Sequence, residues 1–419
     1  MAEPYAAAAG RRVFLAGTFD VANYGDLLFP LVAAARLAEA GIAVIPVSPT
    51  ATKPAYADAM QPVAATQMLA DPAFEVCGIL VGGGYILISQ AATGLPSYEA
   101  AGIAGLAYPS LWIGAALAAA LRDVPLLFNA PGAPFPFSSR RLQEAILPAL
   151  RAADYLSFRD AASASLFPAP DLAPRILPDS VLELPRVWPR AALLQEHQAL
   201  LRRHGIPPER RCLALHVRAR AMGDVEALAA RLSDFAEAHD LLPVLLVLGP
   251  ELGDRETAAA LAPRMRTATL LLNEAGSLKT LAAAIAGAHL YVGGSLHGYI
   301  TAAAYGVPGV MLALPAHGKF RGLLKQLGRP ADMARDWDGA LQRGSSHLAS
   351  PAPAALPAAV PAALDAHWRQ IVAGLGDRAA GSGRRAIYLR HHLATNCGLL
   401  GTSWLLGPQL SGSRGSIKV

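Results

Sequence analysis

The sequence predicts an α/β protein of two parallel-sheet domains that face each other across a cleft. Short apolar runs of strand length alternate with longer Ala/Leu-rich runs of helical length along most of the chain, the pattern of a parallel sheet covered by helices on both faces. A Pro-rich stretch at residues 182–190 interrupts the alternation, which then starts again. At 419 residues there is room for two domains of ordinary size and a short tail.

In the first domain, residues 11–185, strands are predicted at 13–17, 43–47, 78–81, 125–129, 155–158 and 175–177. The 182–190 stretch reads as the linker. The second domain, 191–345, opens with a helix at 191–204 and continues with strands at 212–217, 242–248, 269–272, 288–292 and 309–312. Residues 346–376 follow as a Pro/Ala-rich loop (350–363) and a closing helix (364–375), and residues 377–419 as a basic tail. The uncharged span 100–121 has membrane-crossing length. Gly102, Gly105, Pro109 and Gly114 punctuate it, however, and Arg122-Asp123 lead directly into a strand, so it reads as a buried crossover helix.

Composition narrows the function classes. Much of the apolar share is alanine, so the positive mean hydropathy does not imply a membrane protein. Cys77, Cys212 and Cys397 are too few and too scattered for a disulfide framework or a metal site. With no signal peptide in view, the cytoplasm is the expected compartment. No G-x-G-x-x-G follows a strand, no G-x-S-x-G elbow occurs, and no HExxH or CxxC spacing is present; a nicotinamide or flavin enzyme, an acyl hydrolase and a metal site are not expected. The formal charge of +5 resides in the tail. No acid follows Asp377, whereas Arg378, Arg384, Arg385, Arg390, Arg414 and Lys418 do. Such a tail either makes peripheral contact with anionic lipid or stays unstructured, and no nucleic-acid partner is expected.

The strongest local signal lies between Tyr291 and Pro308, which reads as strand, glycine turn and helix. Gly293-Gly294 permit close approach to the backbone, Ser295 is a good N-cap, and Gly306 and Pro308 end the helix. The first N–H groups of that helix favour phosphate or carboxylate, and His297 stands in its first turn. A helix N-terminus disfavours imidazolium, so His297 becomes a strong acid only beside an anionic ligand; otherwise it is a satisfied loop histidine. Residues 275–331 contain no Asp or Glu but hold Lys279, Lys319, Arg321, Lys325 and Arg329, a one-sided field that draws an anion toward this helix.

Loops after the other strands supply further candidates. Asn23, Gly25 and Asp26 precede a helix expected to begin near Leu27, where Asp26 either caps the helix or accepts a proton from a substrate hydroxyl. Gly82-Gly83-Gly84-Tyr85 forms a backbone that a ligand can approach. Arg159, at the end of a strand, either grips a carboxylate or phosphate with two donors or pairs with its neighbour Asp160. Pro178-Asp179 and the cluster His216, Arg218 and Arg220 add polar groups on the cleft side.

In this order, Asn23-Tyr-Gly-Asp26, Gly82-Gly-Gly84, Ser157-Phe-Arg-Asp160, Pro178-Asp179, Gly294-Ser-Leu-His-Gly298, Tyr305-Gly-Val-Pro308 and Lys319-Phe320 resemble the polysaccharide pyruvyl transferase family over residues 14–327. The resemblance implies a GT-B-like fold of two Rossmann-like domains. It implies transfer of pyruvate from phosphoenolpyruvate to a sugar hydroxyl pair of a polysaccharide or lipid-linked glycan, as a ketal, with release of phosphate and no cofactor. His297 would be the acid and Asp26 the group that orients or deprotonates the acceptor. Ser295, Gly294, Arg159, Lys319 and Arg218 would hold phosphoenolpyruvate, and Asn23, Gly25, Gly83, Gly84 and Tyr85 would lie on the acceptor side. Many relatives carry an arginine two residues before the motif histidine, where this chain has Ser295, so Arg159, Arg218 or Lys319 must supply that charge. A nucleotide-sugar glycosyltransferase on the same fold would commonly place a glutamate near this helix, and residues 275–331 offer none. A non-catalytic glycan-binding relative is the third reading.

Overall fold

The computed structural model of the chain describes residues 10–314, 318–350 and 355–401, without the side chains of residues 318 and 319. In the N-terminal domain β1 (Arg11–Ala16), β2 (Ile42–Ser48), β3 (Val63–Ala64), β4 (Ile79–Gly82) and β5 (Leu126–Asn129) form a parallel sheet in the order β3-β2-β1-β4-β5. A short parallel pair, β6 (Ser157–Phe158) and β7 (Arg175–Ile176), is tied to this sheet by a bridge between Leu127 and Tyr155. The C-terminal domain repeats the plan with β8 (Cys212–His216), β9 (Leu242–Leu246), β10 (Leu270–Leu272), β11 (Leu290–Gly293), β12 (Gly309–Leu312) and β13 (Met333–Ala334), ordered β10-β9-β8-β11-β12-β13. Both are Rossmann-like, with the strand order reversing between β1 and β4 and between β8 and β11. The central strands are buried on both faces, as at Val13, Phe14, Leu15 and Ala16, and so read as unbroken apolar runs. The edge strands β3 and β13, two residues each, leave no such pattern.

The stretch expected to be a linker is instead part of the core. Ser180–Arg186 winds as a 3-10 turn whose Val181, Leu182 and Leu184 are buried, packed against the helices Tyr24–Ala38 and Leu296–Ala304. Its prolines delimit a turn that fills the domain junction.

After the second domain the chain returns to the first. The closing helix runs Ala359–Gly376, starting before the expected position, and it docks through Trp368 Nε1, which donates to Glu183 at 2.7 Å, and through Leu375, whose carbonyl accepts from Arg11 Nη2 at 2.6 Å. Glu183 also pairs with buried Arg36. The expected basic tail is a helix, Ser382–Leu400, laid along the helix Ala107–Arg122. Its cations serve the chain itself. Arg385 is fully buried between Asp123 and Asp154, Arg384 donates to Asp154 at 2.8 Å, and Arg378 donates to the carbonyls of Arg122 and Asp123. The lipid contact expected of this tail therefore loses these three cations; Arg414 and Lys418 lie outside the described residues. The span 100–121 contains the buried crossover helix Ala107–Arg122. Among the described residues no helix is long and apolar enough to cross a membrane.

His367 pins the closing helix to β5. Its Nδ1 accepts from the Tyr155 hydroxyl at 2.9 Å and its Nε2 donates to Asn129 Oδ1 at 2.9 Å, a pairing that requires the neutral ring. Burial, with Arg175 and Arg36 adding to it, pushes the imidazole from 6.5 down to about 3. Below pH 6.5 the unfolded chain takes up a proton that the folded chain refuses until about pH 3, so stability falls as the pH drops through that window. His367→Gln is expected to flatten this acid limb in urea unfolding curves recorded between pH 7 and 4 (about one proton less in the linkage slope).

Candidate functional site

The helix Leu296–Ala304 begins as its sequence requires: Ser295 is the N-cap, and its hydroxyl accepts from Gly298 N at 3.2 Å. His297 therefore stands in the first turn, directed at the other domain. There its ring lies on the backbone of Gly25, where a Cβ would overlap Nδ1 and Cγ of the imidazole. Phe29 meets the ring edge-on, with centroids 5.3 Å apart. Nε2 faces Asp179 Oδ2 at 3.5 Å. The glycine of Asn-Tyr-Gly-Asp is thus required by the approach of a histidine from the second domain.

Asp179 is buried and N-caps the 3-10 turn, its Oδ1 accepting from Val181 N at 3.0 Å. Its Oδ2 lies between His297 Nε2 and Arg159 Nη1, the latter at 3.6 Å. Burial alone would raise this carboxyl, but His297 and Arg159 beside it hold it below the ordinary carboxylate range. Arg159 is itself buried and stacks over the Tyr85 ring, 3.8 Å from its centroid. Its contact with Asp160 is long, 3.8 Å, because Asp160 Oδ1 accepts from Ser163 N as a helix cap. Arg159 Nε and Nη1 are buried without a hydrogen-bond partner. Such donors are costly in a folded protein unless a ligand takes them up.

On the N-terminal side the helix begins at Tyr24, earlier than expected, so Asp26 is a first-turn residue and not the cap. Asp26 Oδ2 accepts from Thr18 Oγ1 at 3.0 Å and Asn23 Nδ2 at 2.8 Å. Oδ1 rests on Gly84, where a Cβ would come within 2.5 Å and where φ is +59°, a conformation that glycine adopts without strain. On the C-terminal side His216 Nε2 and Gly249 N hold Asp254 Oδ2, each at 2.8 Å. Burial would raise Asp254, but His216 and Arg218 outweigh it and lower the carboxyl. Arg218 lies against Gly294; burial pushes its guanidinium down, and its Nε has no hydrogen-bond partner.

These groups meet in one cavity of about 630 Å³ between the carboxyl ends of the two sheets. Asn23, Asp26, Gly84, Tyr85 and Arg159 line it from one domain, and Arg218, Arg220, Asp254 and His297 from the other. Other expected site residues serve packing. Gly25 is covered by His297, Gly83 by Phe29 and Phe19, and Ser295 spends its hydroxyl on the cap. Contact of Gly25 and Gly83 with an acceptor is replaced by side chains of this chain. The side chain of Lys319 lies outside the described residues.

The expected one-sided field is also redistributed. Lys279, Arg321, Lys325 and Arg329 are not among the residues lining the cavity. The N-terminal domain supplies carboxylates to this acid-free stretch: Asp58 accepts from Leu278 N and Lys279 N at 2.7 and 2.9 Å, and Asp179 faces His297. Pro178-Asp179 was visible in the sequence but its histidine partner was not, and neither Asp254 and Tyr108, at the starts of helices, nor Phe135, in a loop, carries a local motif that marks it. A second cavity, about 730 Å³, lies beneath the helix Ser382–Leu400, and its Arg151–Asp171 and Arg384–Asp154 pairs are already made.

Two Rossmann-like domains with a charged cavity between the carboxyl ends of their sheets define a protein of the GT-B class. Solved structures that share this fold include three UDP-GlcNAc 2-epimerases. The UDP-GlcNAc 2-epimerase from Methanocaldococcus jannaschii is 11% identical, with 86% of this chain and 99% of that one covered at a TM-score of 0.56. The enzymes from Rickettsia bellii (13% identical, 88% and 99% covered, TM-score 0.51) and Neisseria meningitidis (10% identical, 92% and 100% covered, TM-score 0.50) are similar. No curated protein sequence matches the chain. The sequence profile described as Polysaccharide pyruvyl transferase matches residues 23–314, from the helix of Asp26 to the end of β12, and the chain belongs to that family.

The Gly25 contact makes a direct prediction. Gly25→Ala should destabilise the protein by about 1–3 kcal/mol through overpacking against His297. In a His297→Ala background the same change should be neutral or stabilising, alanine being the better helix former. A double-mutant cycle by urea unfolding reads the coupling.

Proposed function

We propose that this chain transfers pyruvate from phosphoenolpyruvate to two hydroxyls of a sugar, forming a ketal and releasing phosphate, with a polysaccharide or lipid-linked glycan as acceptor. The observation that carries the reading is the convergence of His297, Asp26 and the under-used guanidinium groups of Arg159 and Arg218 on one cavity, supplied by both domains.

The reaction asks for an anion clamp, an acid and a base. Arg159 Nε and Nη1 and Arg218 Nε are donors that phosphate and carboxylate would satisfy, which answers the serine at position 295 where many relatives carry arginine. His297, the imidazole lining the cavity, gives its proton to the methylene carbon, which becomes the methyl group, and positive charge develops at C2. A first sugar hydroxyl adds to C2 as Asp26 takes its proton. The C2–O bond to phosphate then breaks, and the second hydroxyl closes the ketal. Of the two hydroxyl protons, one replaces the proton given to the methyl group and the other leaves with phosphate. Asp179, 3.5 Å from Nε2, offsets the charge of the ring when it is protonated.

The N. meningitidis epimerase is bound to UDP-GlcNAc, so a nucleotide sugar is the comparison ligand. Phosphoenolpyruvate, and not UDP-GlcNAc, is expected to raise the melting temperature of the wild type. His297→Ala should lower acceptor-dependent phosphate release by about 10²–10⁴-fold while retaining the fold by circular dichroism. Asp179→Asn should lower kcat more than it raises KM for phosphoenolpyruvate. Normal turnover by the His297 variant would refute the assignment.

A further inference from the structure

The cavity is larger and less polar than its charged end requires. At about 630 Å³ it falls in the range of sites that enclose drug-sized ligands, roughly 300–1,000 Å³, well beyond a three-carbon acid phosphate. Beside its ionic groups the lining carries Ile88, Leu95, Tyr108, Phe135, Leu166 and Leu252.

Two of these side chains stand in water. Phe135 is 52% exposed and Leu252 is 50% exposed, on loops of opposite domains. Large apolar groups held out at the wall of a cavity mark a surface that a ligand covers. Leu252 is also held in position. It ends the turn Pro250–Leu252, and the neighbouring Glu251 reaches across the cleft, accepting from Ala22 N through Oε1 and from Ser97 Oγ through Oε2, each at 3.1 Å. Glu251 does not line the cavity, so it acts through Leu252. Tyr108 lies on the same lining, where burial and the charge of Asp26 push its phenol up to about 12.

We propose that the apolar half of the cavity is a stacking subsite for a pyranose ring, with Phe135 and Tyr108 as its walls and Leu252 as its cover, and with Glu251 as the positioning residue that holds the cover closed. A pyranose offers an apolar C–H face and a rim of hydroxyls. The aromatic face and the leucine take the former, while Ser165 and Arg220, both on the lining, take the latter. This rests on the reading that the acceptor is a sugar, and it places the acceptor hydroxyls between the subsite and Asp26.

The test measures binding of the methyl glycosides of glucose, galactose, mannose and N-acetylmannosamine by saturation-transfer NMR, alongside the thermal shift given by phosphoenolpyruvate. At least one glycoside should bind the wild type, and Phe135→Ala and Glu251→Ala should each weaken it about tenfold while the phosphoenolpyruvate shift is kept. The subsite is overturned if none of the four binds, or if Phe135→Ala binds as the wild type does. The positioning role is overturned if Glu251→Ala leaves glycoside binding unchanged, or if it removes the phosphoenolpyruvate shift as well. Glycoside binding that depends on Phe135, without any phosphoenolpyruvate shift in the wild type, removes the pyruvyl donor and leaves the subsite standing; the reverse pattern does the opposite.

Discussion

One buried carboxylate organises the junction between the two domains. Asp179 is enclosed at the end of the segment that leaves β7, and a lone carboxylate there would be strongly disfavoured. It is tolerated because Arg159 from its own domain and His297 from the other converge on the same oxygen. Docking of the second domain therefore helps to stabilise a charge that the first domain has buried. The 3-10 turn, the stacking of Arg159 on Tyr85 and the glycine beneath His297 all surround that oxygen and its two partners.

The same exchange explains the charge pattern. The segment from Ala275 to Ala331 has no acids because the N-terminal domain brings them: Asp58 at the start of the helix Leu278–Ala286 and Asp179 at the start of the helix Leu296–Ala304. A helix N-terminus that lacks its own carboxylate can take one from a docked surface. The acid-free run is thus partly the imprint of an interface, and among the described residues the positive charge lining the cavity comes from Arg159, Arg218, Arg220 and, when protonated, His297.

Much of the fold was legible in the chain because parallel strands buried on both faces have to be apolar throughout. The long central strands at Val13, Val44, Leu213 and Val310 announced themselves, whereas the edge pairs Val63-Ala64 and Met333-Ala334 had no length in which to show a pattern. The site was legible in its parts. Loops after strands pointed to Asp26, Arg159, Arg218 and His297, but pairwise relations between distant residues leave no local trace, so Asp179 remained one polar residue among several. The family resemblance put Gly25 on the acceptor side, and the group that occupies the space beside it is an imidazole from the other domain. The Pro-rich junction failed for a different reason: proline content signals a turn but does not say whether water or protein surrounds it.

The return of the chain to its first domain affects how it folds during synthesis. The helices Ala359–Gly376 and Ser382–Leu400 complete the N-terminal domain, with Arg385 neutralising Asp123 and Asp154 and Trp368 meeting Glu183. Until they emerge, the nascent N-terminal domain exposes apolar surface and those carboxylates have no cation from these helices. At roughly 5–20 residues per second the wait between Arg186 and Leu400 is some tens of seconds. The second domain, one continuous stretch, is complete sooner. The order of translation and the order of completion are therefore opposite.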